Sequence, residues 1–274
     1  MIEYIEHPDD PRLSHYAGMT DMDARLRREG EAGFYVAEGS AVIARAIAAG
    51  HTAVSTLCIA KWVDDVCNLG LPREIPMYVA DEEVLRATTG FHVHRGALAI
   101  FQRPTALAVV EVIDSARIVL VLEDLVDHAN VGAAFRSGSG LGIEAVILSP
   151  RCADPLYRRA IKTSMGATLG LPWARAVQWP DTLEQLKAFG FDVWGLTPRD
   201  DATSLADAIR LGHSRIAVVV GTEGAGLSGA ALRACTRHVR IPMHNNVDSL
   251  NVAAASAVAM YAISSTLDAK GEMP

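Results

Sequence analysis

The chain has 274 residues, half of them hydrophobic and 21% charged, which is enough apolar surface for two domains or one large one and excludes disordered and fibrous classes. Four cysteines, Cys58, Cys67, Cys152 and Cys235, are too sparse and too far apart for a disulfide framework or a zinc finger, and they suit a reducing cytoplasm. The net charge is −7: dividing the chain at residue 115 puts 10 Lys and Arg against 17 Asp and Glu in the first part and 15 against 15 in the second, so bulk attraction to phosphate is excluded and any RNA contact must use local patches.

The N-terminal stretch MIEYIEHPDDPR is acidic and lacks the basic start and apolar run of a secretory signal. Residues 1–103 read as a small α/β unit. The pattern predicts a short Arg-rich helix at 24–29, strands at 34–36, 54–60, 76–79 and 97–101, an Ala-rich helix at 40–49, and a helix through residue 87 capped by Asp81. Such alternation requires a parallel or mixed sheet. Residues 102–115 lack a clear period and begin Arg-Pro-Thr, which suits a linker or a poorly regular strand. The boundary falls near residue 110, giving domains 1–110 and 111–274.

Beyond it the pattern sharpens. Strands are predicted at 118–122, 145–148, 192–196, 216–220 and 238–241, with helices at 131–140, 155–165, 182–188 and 227–234 and a long one from Leu250. That order describes a doubly wound α/β domain with a mostly parallel sheet. The apolar tract 250–267 is built of Ala and Ser and interrupted by Asn251, Ser256, Ser264 and Ser265, so it suits a packed soluble helix better than a membrane span. No internal repeat or low-complexity segment stands out.

In such sheets ligands bind beyond the carboxyl ends of the strands, which directs attention to three loops. In the first, Asn130 reads as an N-cap, Gly132 permits close backbone approach, and Arg136 follows six residues after the cap. Arg136 either faces a pocket or snorkels to solvent. In the second, Gly221, Glu223, Gly224 and Gly226 form GxxGxG rather than the GxGxxG of dinucleotide sites, with a carboxylate where a pyrophosphate would be repelled. Its glycines fit a tight turn as well as a ligand cradle, but the turn alone leaves the carboxylate unexplained. In the third, Asp248 or Ser249 would cap the Ala-rich helix, and Asn251 in its first turn is a poor helix former unless its amide has a partner.

Other features favour plain structural roles. The cluster Gly138, Gly140 and Gly142 ends a helix, the wrong order for a phosphate cradle. His92 and His94 share a strand face without a third ligand, so no metal site is expected. Arg151, Arg158, Arg159 and Lys162, against the single Asp154, make a local basic patch that is either a phosphate contact or a solvated helix face. Arg25, Arg27 and Arg28 read the same way.

In this order NVGAAFRSGSGLG, VVVGTEGAGLS and IPMHNNVDSLNVAAASAVAMY resemble motifs 1, 2 and 3 of the SpoU (TrmH-like) branch of the SPOUT RNA methyltransferases, over residues 117–268. More loosely, residues 34–60 and 91–100 resemble that family's N-terminal substrate-binding domain, related to ribosomal protein L30e. The resemblance implies an α/β trefoil-knot methyltransferase domain behind a smaller L30e-like α/β domain. It also implies a homodimer that binds S-adenosylmethionine and methylates a ribose 2′-hydroxyl of rRNA or tRNA. Arg136, Asn130, Glu223, Ser249 and Asn251 match the catalytic positions. Thr197, Gly221, Glu223, Gly224, Ile241, Met243, Ser249 and Leu250 match the cofactor-binding ones. The run Lys162 to Gly166 resembles the family stretch near substrate phosphates. A guanidinium with a pKa above about 12 is a poor base, so Arg136 is expected to stabilise developing alkoxide charge. A non-catalytic RNA-binding protein of the same fold is the alternative, and an NAD enzyme is disfavoured by the glycine order.

Overall fold

The computed structural model describes residues 1–19, 33–93, 96–212, 214–245 and 247–269. The helix expected at 24–29, with Arg25, Arg27 and Arg28, and also His94 lie outside the described residues. In the first part of the chain the elements are β1 (Ile2–Ile5), β2 (Phe34–Glu38), α1 (Ser40–Ala48), β3 (Ala53–Cys58), α2 (Val63–Cys67), β4 (Met77–Ala80), α3 (Glu82–Thr89) and β5 (Ala97–Gln102). There follow α4 (Val109–Ile113), β6 (Ile118–Leu122), α5 (His128–Gly140), β7 (Ala145–Leu148), α6 (Arg158–Thr163), α7 (Ala167–Gly170), β8 (Trp173–Arg175) and α8 (Asp181–Ala188). The last are β9 (Asp192–Leu196), β10 (Thr203–Ser204), α9 (Leu205–Arg210), β11 (Ile216–Val220), α10 (Gly229–Ala234), β12 (Arg237–Arg240) and α11 (Val252–Ala269).

Two compact units emerge: Met1–Thr105 with Leu156–Gly170, and Ala106–Pro155 with Leu171–Pro274. A single cut near residue 110 therefore misses the transfer of α6 and α7 to the first unit. The transfer has a physical cause. Glu38 accepts from Arg158 Nη1 and from Lys162 Nζ, each at 2.8 Å, and the Arg158 guanidinium stacks 4.1 Å from the Phe91 ring centroid. Two of the four basic residues expected to form an open patch thus share one carboxylate, and Arg151 pairs with Asp124 in the second unit.

In the first unit the sheet order is β1-β4-β3-β5-β2, with β5 antiparallel to β2 and β3 and the other pairs parallel. It is the mixed case of the expected alternatives. Asp81 caps α3 by accepting from Val84 N at 2.8 Å, as its position before the first helical residue predicts. β1 was not expected, because a four-residue edge strand with alternating exposure carries little apolar signal.

The second unit holds a seven-stranded sheet in the order β10-β12-β9-β11-β6-β7-β8, parallel at every pair. β6 (IVLVL) and β11 (IAVVV) lie at its centre with every residue buried, which is why they read as continuous apolar runs without alternation. Parallel pairing places all the carboxyl ends on one edge. The stretch read as a linker contains α4, whose Glu111 side chain accepts from Ala108 N. β8, β10 and α9 also escaped the sequence pattern, since runs of 2–6 residues lie below the length at which a period is visible.

The opposite edge of this sheet is clamped by Arg215. Its guanidinium donates to the carbonyls of Ala116, Phe189, Ile113 and Asp114 and lies 4.3 Å from the Phe191 ring centroid. Removing it leaves several half-buried carbonyls without a donor. Arg215→Ala is expected to lower stability by about 2–3 kcal/mol, read as a shifted urea midpoint at unchanged slope; a shift equivalent to less than about 0.5 kcal/mol would contradict the clamp.

Candidate functional site

β12, β9 and β11 are neighbours in the sheet, and the segments leaving their carboxyl ends enclose a cavity of about 340 Å³. Its wall comes from Leu196–Pro198 at the end of β9, Val220–Gly224 and Gly226 at the end of β11, and Val239, Ile241, Met243 and Asp248–Val252 from the end of β12 onward, with Ala255 of α11 closing one side. All eight residues matched to cofactor binding line it: Thr197, Gly221, Glu223, Gly224, Ile241, Met243, Ser249 and Leu250.

The glycine loop doubles back tightly on itself. Gly226 N donates to Thr222 O at 3.0 Å, and a Cβ on Gly221 would fall 2.3 Å from the carbonyl carbon of Gly226. Gly224 and Gly226 have φ of +86° and +68°, a region that side chains disfavour. The loop is therefore both a tight turn and a cavity wall, and the two readings of its glycines are not exclusive.

Asn251 joins three segments. Its Oδ1 accepts from Ala253 N at 2.9 Å, so Asn251 itself caps α11, in place of the expected Asp248 or Ser249. Its Nδ2 donates to Glu223 Oε1 at 2.6 Å and to Asn130 Oδ1 at 3.2 Å. Of the five residues matched to catalysis, Asn130, Glu223 and Asn251 thus meet directly. Ser249 lines the cavity beside them.

Asn130 is not an N-cap. The helix starts earlier, at His128, where Asp127 accepts from Ala129 N at 2.7 Å, so Asn130 lies in the first turn with its amide turned to Asn251. Arg136 does not line the cavity; it is exposed and has no partner among the described residues. Six residues of α-helix separate it from Asn130 by about 9 Å along the axis and about 120° around it. Gly138 lies within α5 rather than at its expected end, and it serves packing: a Cβ there would lie 3.5 Å from Ile143 and 3.7 Å from Met260 Sδ on α11.

Thr222, Gly226 and Asp248 line the cavity without having been matched to it; the acid beside Ser249 was the available signal. Glu223 and Asp248 are the only ionisable side chains among the described lining residues. Two carboxylates without a facing cation repel a phosphate or pyrophosphate and favour a cationic ligand. Among the described residues no group of three or more His, Cys, Asp or Glu is placed to hold a metal. Burial raises the Cys58 thiol to about 11, the Cys235 thiol to about 12, and the Cys152 thiol above its usual value, so none of these three supplies a thiolate at neutral pH.

The chain matches the SpoU rRNA Methylase family over residues 117–261, more than half its length. It belongs to that family. An uncharacterized tRNA/rRNA methyltransferase of Mycobacterium tuberculosis (strain ATCC 25618 / H37Rv) is 42% identical over 265 residues, 95% of this chain and 91% of that protein. A 23S rRNA (guanosine-2′-O-)-methyltransferase RlmB of Burkholderia sp is 33% identical over 189 residues, 68% of this chain and 75% of the relative. Among solved structures, an AdoMet-bound rRNA methyltransferase from Sinorhizobium meliloti superposes with a TM-score of 0.83 at 20% identity, covering 97% of this chain and 98% of that one. The fold of this SpoU member is accordingly the α/β SPOUT fold with a parallel sheet.

Asn251 provides a test of the geometry. Asn251→Ala removes the α11 cap and is expected to cost about 1 kcal/mol. Asn251→Asp keeps the cap but opposes Glu223 with a second carboxylate. Its deficit relative to the native chain should be present at pH 7 and shrink as pH falls through the carboxylate range, where one of the pair protonates. Thermal melts at pH 7 and pH 4 read both; an Asn251→Asp chain as stable as the native one at pH 7 would contradict the contact.

Proposed function

We propose that this SpoU family member is an S-adenosylmethionine-dependent methyltransferase acting on a ribose 2′-hydroxyl of rRNA or tRNA. The observation that carries the reading is the convergence of the second and third motif segments, with the segment after β9, on one cavity whose described ionisable lining is wholly acidic, while Asn130 of the first motif is tied to it through Asn251. S-adenosylmethionine supplies a methyl group activated by a positively charged sulfonium. Thr197, Gly221, Glu223, Gly224, Ile241, Met243, Ser249 and Leu250 would hold it, with the open backbone at Gly224 and Gly226 allowing close approach and the apolar side chains excluding water.

The remaining task is to manage the proton and charge of a weakly acidic sugar hydroxyl. Asn130, Asn251 and Glu223 form a fixed hydrogen-bonded chain at the cavity rim that orients the substrate. Arg136, exposed and without a partner among the described residues, presents its guanidinium to stabilise negative charge developing on the ribose oxygen. Because Arg136 does not line the cavity of its own chain, the complete centre needs a second copy, and the homodimer is part of the proposal. α11 offers a face for it: Val258 and Tyr261 are 41% and 64% exposed, and Val247 and Leu250 are exposed near the cavity rim.

The first unit, as an L30e-like domain, would bind the RNA, with Arg159 and Lys162 exposed on α6. Its acidic composition confines such contact to local patches. No helix among the described residues is long and apolar enough to cross a membrane. An RNA substrate and dispersed free cysteines support a cytoplasmic location.

Incubation with RNA and methyl-labelled S-adenosylmethionine, followed by nucleoside analysis, should yield label in 2′-O-methylnucleosides. Arg136→Ala should lower incorporation by at least about 100-fold, the scale of losing an oxyanion donor, with the cofactor Kd changed less than about twofold. Retained activity in that variant would overturn the role of Arg136; RNA binding without incorporation by the native chain would select a non-catalytic RNA-binding protein.

A further inference from the structure

Glu123 is the first residue past β6 and is 2% exposed, yet it does not line the cavity. An ionised carboxylate buried this deeply is costly unless its oxygens are filled by donors. Three donors fill them: Trp179 Nε1 at 2.6 Å and Ser228 Oγ at 2.7 Å to Oε1, and Ser228 N at 2.8 Å to Oε2. Its own backbone N–H donates to Val220 O at 2.8 Å.

One residue therefore holds both ends of segment 220–228. The backbone pins the start, where β11 finishes, and the carboxylate pins the end, where Ser228 accepts from Ala231 N at 3.1 Å and caps α10. Between those points the chain supplies Gly221, Thr222, Glu223, Gly224 and Gly226 to the cavity wall. A stretch with three glycines in six residues has high conformational entropy when free, and an unpinned wall would charge that cost to ligand binding.

We propose that Glu123 is a positioning residue for the cofactor: it preorganises the glycine loop and so sets the affinity for S-adenosylmethionine without touching it. The inference rests on the cofactor reading of the cavity. The site calls for a carboxylate, because all three partners are donors and the amide of a glutamine would turn a further donor toward one of them.

Calorimetric titration of the 274-residue chain with S-adenosylmethionine, alongside thermal melts, tests it. Glu123→Gln should raise Kd at least tenfold and Ser228→Ala several-fold, and the double variant should bind no more weakly than Glu123→Gln, because both changes cut the same tie. Trp179→Phe removes a donor that lies outside the loop; it should lower Tm while leaving Kd within twofold. A folded Glu123→Gln chain that binds within twofold of the native one overturns the proposal, as does a Kd that simply tracks Tm across the variants. If Glu123→Gln does not fold, equal effects of Ser228→Ala and Trp179→Phe on Kd overturn it. A native chain that fails to bind S-adenosylmethionine overturns the cofactor reading itself.

Discussion

The arrangement of the site depends on the two-sided amide of Asn251. Its carbonyl oxygen starts the C-terminal helix while its nitrogen reaches Glu223 on the glycine loop and Asn130 on the helix after β6. An alanine could supply neither contact, and an aspartate would supply the cap but repel Glu223. The side chain thus couples the onset of a structural helix to the placement of polar groups from one other loop and one other helix start, and these follow strands far apart in sequence but neighbouring in the sheet.

Parallel pairing makes that coupling possible. Because every pair in the seven-stranded sheet is parallel, the segments leaving β9, β11 and β12 emerge on a common edge, and adjacency of these three strands draws the segments together. The cavity between them carries an acidic described lining as well as a defined shape. With Glu223 and Asp248 as its only described ionisable lining groups, it disfavours the pyrophosphate that a glycine loop after a buried strand would otherwise suggest.

Much of this was legible in the sequence, for identifiable reasons. β6, β7, β9 and β11 are short β-branched or apolar runs between turn residues, and each lies where that pattern placed it. The glycine loop declared itself by its order and its carboxylate, and the out-of-character Asn251 by its position in an Ala-rich helix. What escaped depends on partners remote in sequence. The caps at Asp127 and Asn251 compete with neighbours of equal propensity, and only tertiary contacts decide between them. The association of α6 with the first unit rests on Glu38, 120 residues from Arg158. Glu123 carried no local signal beyond an acid at the end of an apolar strand, since Trp179 and Ser228 lie 56 and 105 residues away. Arg136 is the converse case: its motif was plain, but a single chain leaves it exposed and away from the cavity.

The claim that these three segments form one binding site for S-adenosylmethionine is tested most directly by ultraviolet cross-linking of the labelled cofactor, followed by peptide mapping. The account predicts label within 196–198, 220–226 or 239–252, lost on competition with unlabelled S-adenosylmethionine and unaffected by NAD. Label confined to peptides outside these segments, or displaced by NAD, would contradict it.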